Sequence, residues 1–91
     1  MRVEWSQTAL DDRTAIFDYL LERNAHAAVA MSEALVLAGD SLATFPLRGR
    51  PGLVTGTREL VIVLPYVLVY DVDSGNDAVR ILRIWHSAQN R

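Results

Sequence analysis

The chain contains no cysteine and no lysine. Without cysteine there is no disulfide framework and no thiolate-held metal. Its two histidines, His26 and His86, stand apart, with no HExxH-like spacing and no acidic cluster around either. No metal is therefore expected. Glycines are few, and Gly49, Gly52 and Gly56 neither follow a strand nor open a helix. That context excludes a phosphate loop, and no cofactor is expected. With no Cys and no GxSxG, nucleophilic catalysis has no motif to rest on. No apolar run approaches the roughly 18 residues of a membrane span. The opening MRVEWSQTALDD lacks the long apolar core of a signal peptide. A cytoplasmic protein with no membrane association is expected.

What is present suits a folded domain. Hydrophobic residues make up 51% and charged residues 22% of 91 positions, which argues against disorder and for a single domain over 1–91. The net charge is −2, and every basic residue is arginine. Residues 1–45 hold three Arg against seven acids, and residues 46–91 hold six Arg against four acids. A chain of this balance is a poor general nucleic-acid binder, because phosphate neutralisation supplies most non-specific affinity. Any anionic partner must meet a local Arg cluster, and the acid-free stretch from Pro46 to Arg58 carries Arg48, Arg50 and Arg58.

Alternation in Arg2–Trp5 predicts a short strand over 2–5. A helical hairpin is predicted over 8–45. Ser6 or Thr8 can cap its first helix, and Thr8 with Asp11 has the shape of a capping box. Ala9, Leu10, Ile16, Phe17, Leu20 and Leu21 mark the buried stripe of that helix, with Asp11 and Asp12 as helix-start charges. Asn24 breaks the pattern and can cap a second helix, whose stripe is Ala27, Ala28, Met31, Leu35, Ala38, Leu42 and Phe45. Gly39 inside it costs about 1 kcal/mol against Ala, and Pro46 closes it. Residues 46–57 read as a loop with one short extended piece. Arg58–Leu64, Tyr66–Val72 and Ala78–His86 read as antiparallel strands, with a turn cluster at 73–77 and a tail at 87–91. The fold class is α+β, in the order β-α-α-β-β-β, with the hairpin on one face of a small, mainly antiparallel sheet.

Both parities of the middle strands are largely apolar, yet two helices shelter only one face. The other face is expected to be apolar, partly exposed and covered by a partner. Tyr66 and Tyr70 share a parity and suit a core. With Leu60, Ile62 and Leu68 they also make the apolar surface on which a covering partner would lie. Arg83 and His86 fall on opposite faces unless the strand end is bulged. His86 can be a general acid or base or a plain strand-end residue. Trp5 and Trp85 read as packing residues.

Several short stretches, taken in order, resemble the RelE/ParE toxins of type II toxin–antitoxin modules. They are Trp5-Ser6 with Ala9, Leu10, Asp11-Asp12, Ile16 and Tyr19; then Phe45-Pro46, Gly49-Arg50-Pro51 and Gly56-Thr57-Arg58-Glu59-Leu60. Pro65-Tyr66, Tyr70-Asp71-Val72 and Val79–Ile84 with His86 and Arg91 complete the set. The resemblance implies a growth-arresting toxin neutralised by a cognate ParD-like or RelB-like antitoxin, in a hetero-oligomer that reaches operator DNA only through the antitoxin. It implies two targets. A ParE-like member blocks DNA gyrase without a catalytic constellation, and Arg48, Arg50, Arg58, Arg83 and Arg91 are then the contact candidates. A RelE-like member cuts mRNA on the ribosome, and Arg58 and His86 then serve as phosphate stabiliser and general acid or base. The usual lysines are absent and Ser87 stands where a tyrosine often helps, which favours the gyrase reading. A non-toxic module that keeps only antitoxin affinity is the remaining alternative.

Overall fold

The computed structural model describes residues 1–62 and 65–87. Strand β1 spans Arg2–Trp5, helix α1 Gln7–Leu21 and helix α2 Ala25–Ser41. Four further strands follow: β2 at Arg50–Pro51, β3 at Thr57–Val61, β4 at Tyr66–Asp73 and β5 at Ala78–His86. They form one sheet in the order β1-β5-β4-β3-β2. All pairs are antiparallel except β1–β5, which is parallel. The two helices carry the chain from β1 at one edge of the sheet to β2 at the other, and the later strands return to set β5 beside β1.

The helix boundaries follow from local chemistry. Ser6, not Thr8, caps α1: its Oγ accepts from the Ala9 amide at 3.0 Å. This start places Asp11 and Asp12 beyond the first turn, so their role is not the dipole compensation expected of them. Asn24 caps α2 by accepting from the Ala27 amide at 3.1 Å. Helix α2 stops at Ser41, before Pro46, in a run of turns. The stripe expected of it is buried at Ala28, Leu35 and Leu42, while Phe45 beyond the helix end is exposed.

Gly39 has a steric reason. A Cβ there would overlap the Trp5 ring and lie 2.9 Å from Ile81 Cδ1. Its absence lets α2 lie close on β1 and β5. The core beneath the hairpin joins Ala9 and Leu42 to Leu60, Leu68, Tyr70, Val79 and Ile81. A second cluster of Leu35, Tyr66 and Ile84 adjoins it through Trp5 and Ile62.

That core reverses one expectation. Leu60, Leu68 and Tyr70, with Tyr66 and the half-buried Ile62, form the face the helices cover, so this chain itself buries them. They are not an open docking surface. The opposite face carries Glu59 and Val61 from β3, Val67, Val69, Asp71 and Asp73 from β4, and Arg80, Arg83 and Trp85 from β5. Arg80 grips Asp71 through two bonds of 2.8 and 2.9 Å and reaches Asp73 at 3.8 Å. Arg50 meets Glu59 at 3.3 Å. The face turned away from the helices therefore carries ion pairs, and Glu59 and Val67 on it are buried. It is not the apolar sheet surface that alternation suggested.

Candidate functional site

Two places gather the residues singled out in the sequence. The first is the loop between α2 and β3. Tyr70, fully buried on β4, sends its hydroxyl up to this loop. There the oxygen accepts from the Gly49 amide and donates to the Pro46 carbonyl, both at 2.8 Å. Arg58 works beside it. Its guanidinium donates to the Gly49 carbonyl at 2.7 Å and to the Leu47 carbonyl at 3.5 Å. Buried Gly49 admits no side chain, since a Cβ would sit 2.8 Å from the Glu59 carbonyl and from the Tyr70 ring. Arg58 thus commits Nη1 to holding backbone. Arg50 is tied to Glu59, and Arg48 donates to Ser41 Oγ at 2.8 Å from an exposed position.

The second place is a groove of about 470 Å³ between α1 and the end of β5, lined by Asp12, Ile16, Tyr19, Tyr66, Arg83 and His86, among others. Strand β1 ends at Trp5, so β5 beyond Ile81 has no strand neighbour on that side. Asp12 closes this edge. Its carboxylate accepts from the Ile84 amide at 2.9 Å and from Arg83 at 3.2 and 3.3 Å. The carboxylate holds the Arg83 guanidinium above its usual value, by hydrogen bonding first and by charge second. Arg83 also lies 4.6 Å over the Trp85 ring. Two bonds from Ser6 to the Ile81 and Leu82 carbonyls hold the start of α1 against the same edge.

The strand is irregular here, with Val69 opposite Arg83 but Tyr70 opposite Ile81. The extra residue, Leu82, precedes both Arg83 and His86, so their opposite parity persists. They still line one groove because Arg83 bends around the edge to Asp12. His86 packs edge-on against Tyr66, with centroids 5.5 Å apart. Burial, and Tyr19 to a lesser degree, push the Tyr66 phenol up, which keeps it a neutral ring.

The structure therefore brings Arg48, Arg50 and Arg58 to one loop and sets Arg83 and His86 in another place; Arg91 lies outside the described residues. Arg58 pairs with Tyr70, and His86 pairs with Tyr66 one strand further on. Four residues of rise and two strand spacings put their Cα atoms about 16 Å apart. Asp12 and Tyr70 were missed as organising residues. A polar group in mid-helix and a tyrosine on an apolar strand were the available signals. Among the described residues no group of acids and histidines could hold a metal. No described helix is long and apolar enough to cross a membrane.

Comparison with known proteins agrees with this architecture. Residues 3–91 match the family model described as the ParE toxin of the type II toxin–antitoxin system parDE. The chain is 48% identical over 89 residues to Toxin RelE2 of Caulobacter vibrioides, covering 97% of each. Among solved structures it is similar to the chromosomal ParDE toxin–antitoxin system from P. aeruginosa. That match has a TM-score of 0.83 and 26% identity, over 94% of this chain and 95% of the other. It also resembles the toxin–antitoxin complex RelBE2 from Mycobacterium tuberculosis, with a TM-score of 0.64 and 27% identity over 97% and 92% of the two chains. Two helices on a five-stranded mixed sheet is the arrangement these toxins share, and the chain belongs to the ParE toxin family of type II toxin–antitoxin systems.

Proposed function

We propose that this toxin is a ParE-like inhibitor of DNA gyrase, acting as a protein–protein block and neutralised by direct binding of a cognate antitoxin. The observation that carries this reading is the engagement of Arg58. A phosphate-stabilising arginine must present free donors to a phosphodiester, and a general acid or base must reach the same linkage within hydrogen-bond distance. Arg58 Nη1 instead holds the Gly49 and Leu47 carbonyls, which leaves only part of its fork for a phosphodiester, and the Cα of His86 lies about 16 Å away along the sheet. The acidic balance of the chain also disfavours docking on ribosomal RNA. Likeness to the P. aeruginosa ParDE system supports the ParE-like reading. The name of the Caulobacter relative favours the mRNA reading, so the experiment must separate the two.

Purified toxin is titrated into a gyrase supercoiling reaction, and mRNA from toxin-expressing cells is mapped by primer extension. Loss of supercoiling or accumulation of cleaved DNA, with intact mRNA, is expected. Codon-positioned cuts with unaffected gyrase would instead establish the endoribonuclease. Unimpaired growth on expression without antitoxin would leave only an antitoxin-binding module.

A further inference from the structure

We propose that the segment Phe45–Val54 is the surface by which the toxin grips its target, and that the target presents an acidic segment with apolar anchors. This rests on the reading that the chain arrests growth through a protein target. Phe45, Leu47, Leu53 and Val54 are 63%, 65%, 73% and 68% exposed. Four such residues in ten positions of a loop are unusual, since a free loop would fold its apolar side chains inward.

Here the backbone is not free to do so. The Tyr70 hydroxyl and the Arg58 guanidinium hold Pro46, Leu47 and Gly49 from beneath. The Arg48 amide donates to the Phe45 carbonyl at 3.1 Å and closes the turn at one end. At the other end Gly52 donates to Thr57 at 2.8 Å, and the Thr57 hydroxyl and amide both donate to Val54. Gly56, at φ +88°, makes that return possible. The buried Tyr70 and the half-buried Arg58 thus fix the loop so that its apolar groups stay in water. A surface ordered before binding loses little entropy when it binds.

The charge of the segment selects the occupant. Residues 46–58 contain three Arg and no acid in a chain of net −2. Arg58 is turned inward and Arg50 is partly neutralised by Glu59. Arg48 has no carboxylate partner among the described residues. One exposed guanidinium, bonded only to the Ser41 hydroxyl among the described residues and set among aliphatic side chains, suits a carboxylate flanked by apolar anchors. A nucleic acid would need several free cations and stacking rings, and Phe45 is the segment's single aromatic. The exposed apolar residues of the helices, among them Val29 and Leu37, lie in the acidic half of the chain and complement a basic occupant instead.

The test compares wild type with the double variant Leu53→Ser, Val54→Ser, with Arg48→Glu and with Arg48→Lys. Growth arrest, gyrase inhibition, affinity for the cognate antitoxin and Tm are measured for each. The serine pair and Arg48→Glu should each raise the dose for growth arrest about tenfold or more, with Arg48→Lys close to wild type. Antitoxin affinity and Tm should stay unchanged, since the substituted side chains are exposed. Full toxicity of the serine pair, with wild-type Tm, would overturn the proposal. Loss of antitoxin affinity would assign the surface to the antitoxin. Loss with Arg48→Glu but not with the serine pair would assign it to phosphate. Growth arrest that needs this surface while gyrase is unaffected would refute the gyrase reading and leave the surface standing.

Discussion

The substitution Tyr70→Phe removes one oxygen atom and tests how the loop is held. The hydroxyl lies in the core, accepts from the Gly49 amide and donates to the Pro46 carbonyl, both at 2.8 Å. Phenylalanine fills the same space, so packing of the ring is kept and no large cavity forms. The cost lies in the partners. Gly49 is buried, and its amide would be left without an acceptor, which costs about 1–3 kcal/mol. The Pro46 carbonyl is half-buried and regains water, which limits its loss to about 0.5–1 kcal/mol. A total near 2–3 kcal/mol is a large share of the roughly 5–15 kcal/mol that folding provides.

For a domain of this size such a loss lowers Tm by about 10–20 °C. Thermal melting by circular dichroism reads it, with Tyr19→Phe as control. Tyr19 is exposed, and its variant should stay within about 0.5 kcal/mol of wild type. Hydrogen exchange at the Gly49 amide should accelerate as well. If Tyr70→Phe melts like the control, the hydroxyl is not what holds the loop, and the account of a fixed apolar surface fails with it.

Other perturbations read other parts of the fold. Helix propensity alone favours Gly39→Ala by about 1 kcal/mol, but the added methyl overlaps Trp5 and crowds Ile81. Overpacking costs about 1–3 kcal/mol, so urea unfolding should show a net loss, and a more stable variant would refute the packing argument. Asp12→Ala exposes the Ile84 amide at the sheet edge and should cost about 1–2 kcal/mol. Asp12→Asn keeps an acceptor there and should lose less than half as much, because the exposed Arg83 pair contributes little. Equal losses in denaturant melts would show that the charge matters more than the edge bond. Asp73 caps the turn before β5. The Asn76 side chain, then its amide and Arg80, hold the carboxyl below the usual carboxylate range against a smaller opposing effect of burial. A depressed folded value means that this contribution is complete above the unfolded value of about 4 and is lost as pH falls through the folded one. Amide protection at Asn76 should therefore drop in that acid window in wild type and stay flat in Asp73→Ala.

Periodicity carried the architecture. The two helices, their caps at Ser6 and Asn24 and the long strands follow from side-chain spacing and from residues that satisfy free amides. The face assignment did not follow, because alternation separates two faces without saying which one meets the helices. The distinguishing signal was charge. Glu59, Asp71 and Asp73 share the parity opposite to Leu60, Leu68 and Tyr70, and only the latter can lie under a helical hairpin. The site was less legible for a different reason. Tyr70 reads as an ordinary strand aromatic, and its role depends on a loop more than twenty positions away. Arg58 matches a motif by position, yet only its partners show that it faces inward.

The sheet face turned away from the helices carries ion pairs, and Glu59 and Val67 on it are already buried. Most of the apolar surface left in water lies elsewhere, on the helices and the loop after them. Helix α2 carries only Glu33 and Asp40 as charges in seventeen residues and leaves Val29 and Leu37 exposed. A helix apolar on nearly all sides is ordinarily buried, so the hairpin offers a second apolar surface on which a partner could lie. The loop after it calls for an acidic one. A standard interface takes about 800 Å² from each partner, against 5544 Å² for the whole chain. Two such footprints fit within that area, and a molecule 42 × 26 × 21 Å across keeps them close. A guard seated on the helices would then stop the target by overhang rather than by occupying its contacts. Charge reversal at Arg48 tests that separation: growth arrest is expected to weaken while antitoxin affinity stays at the wild-type level.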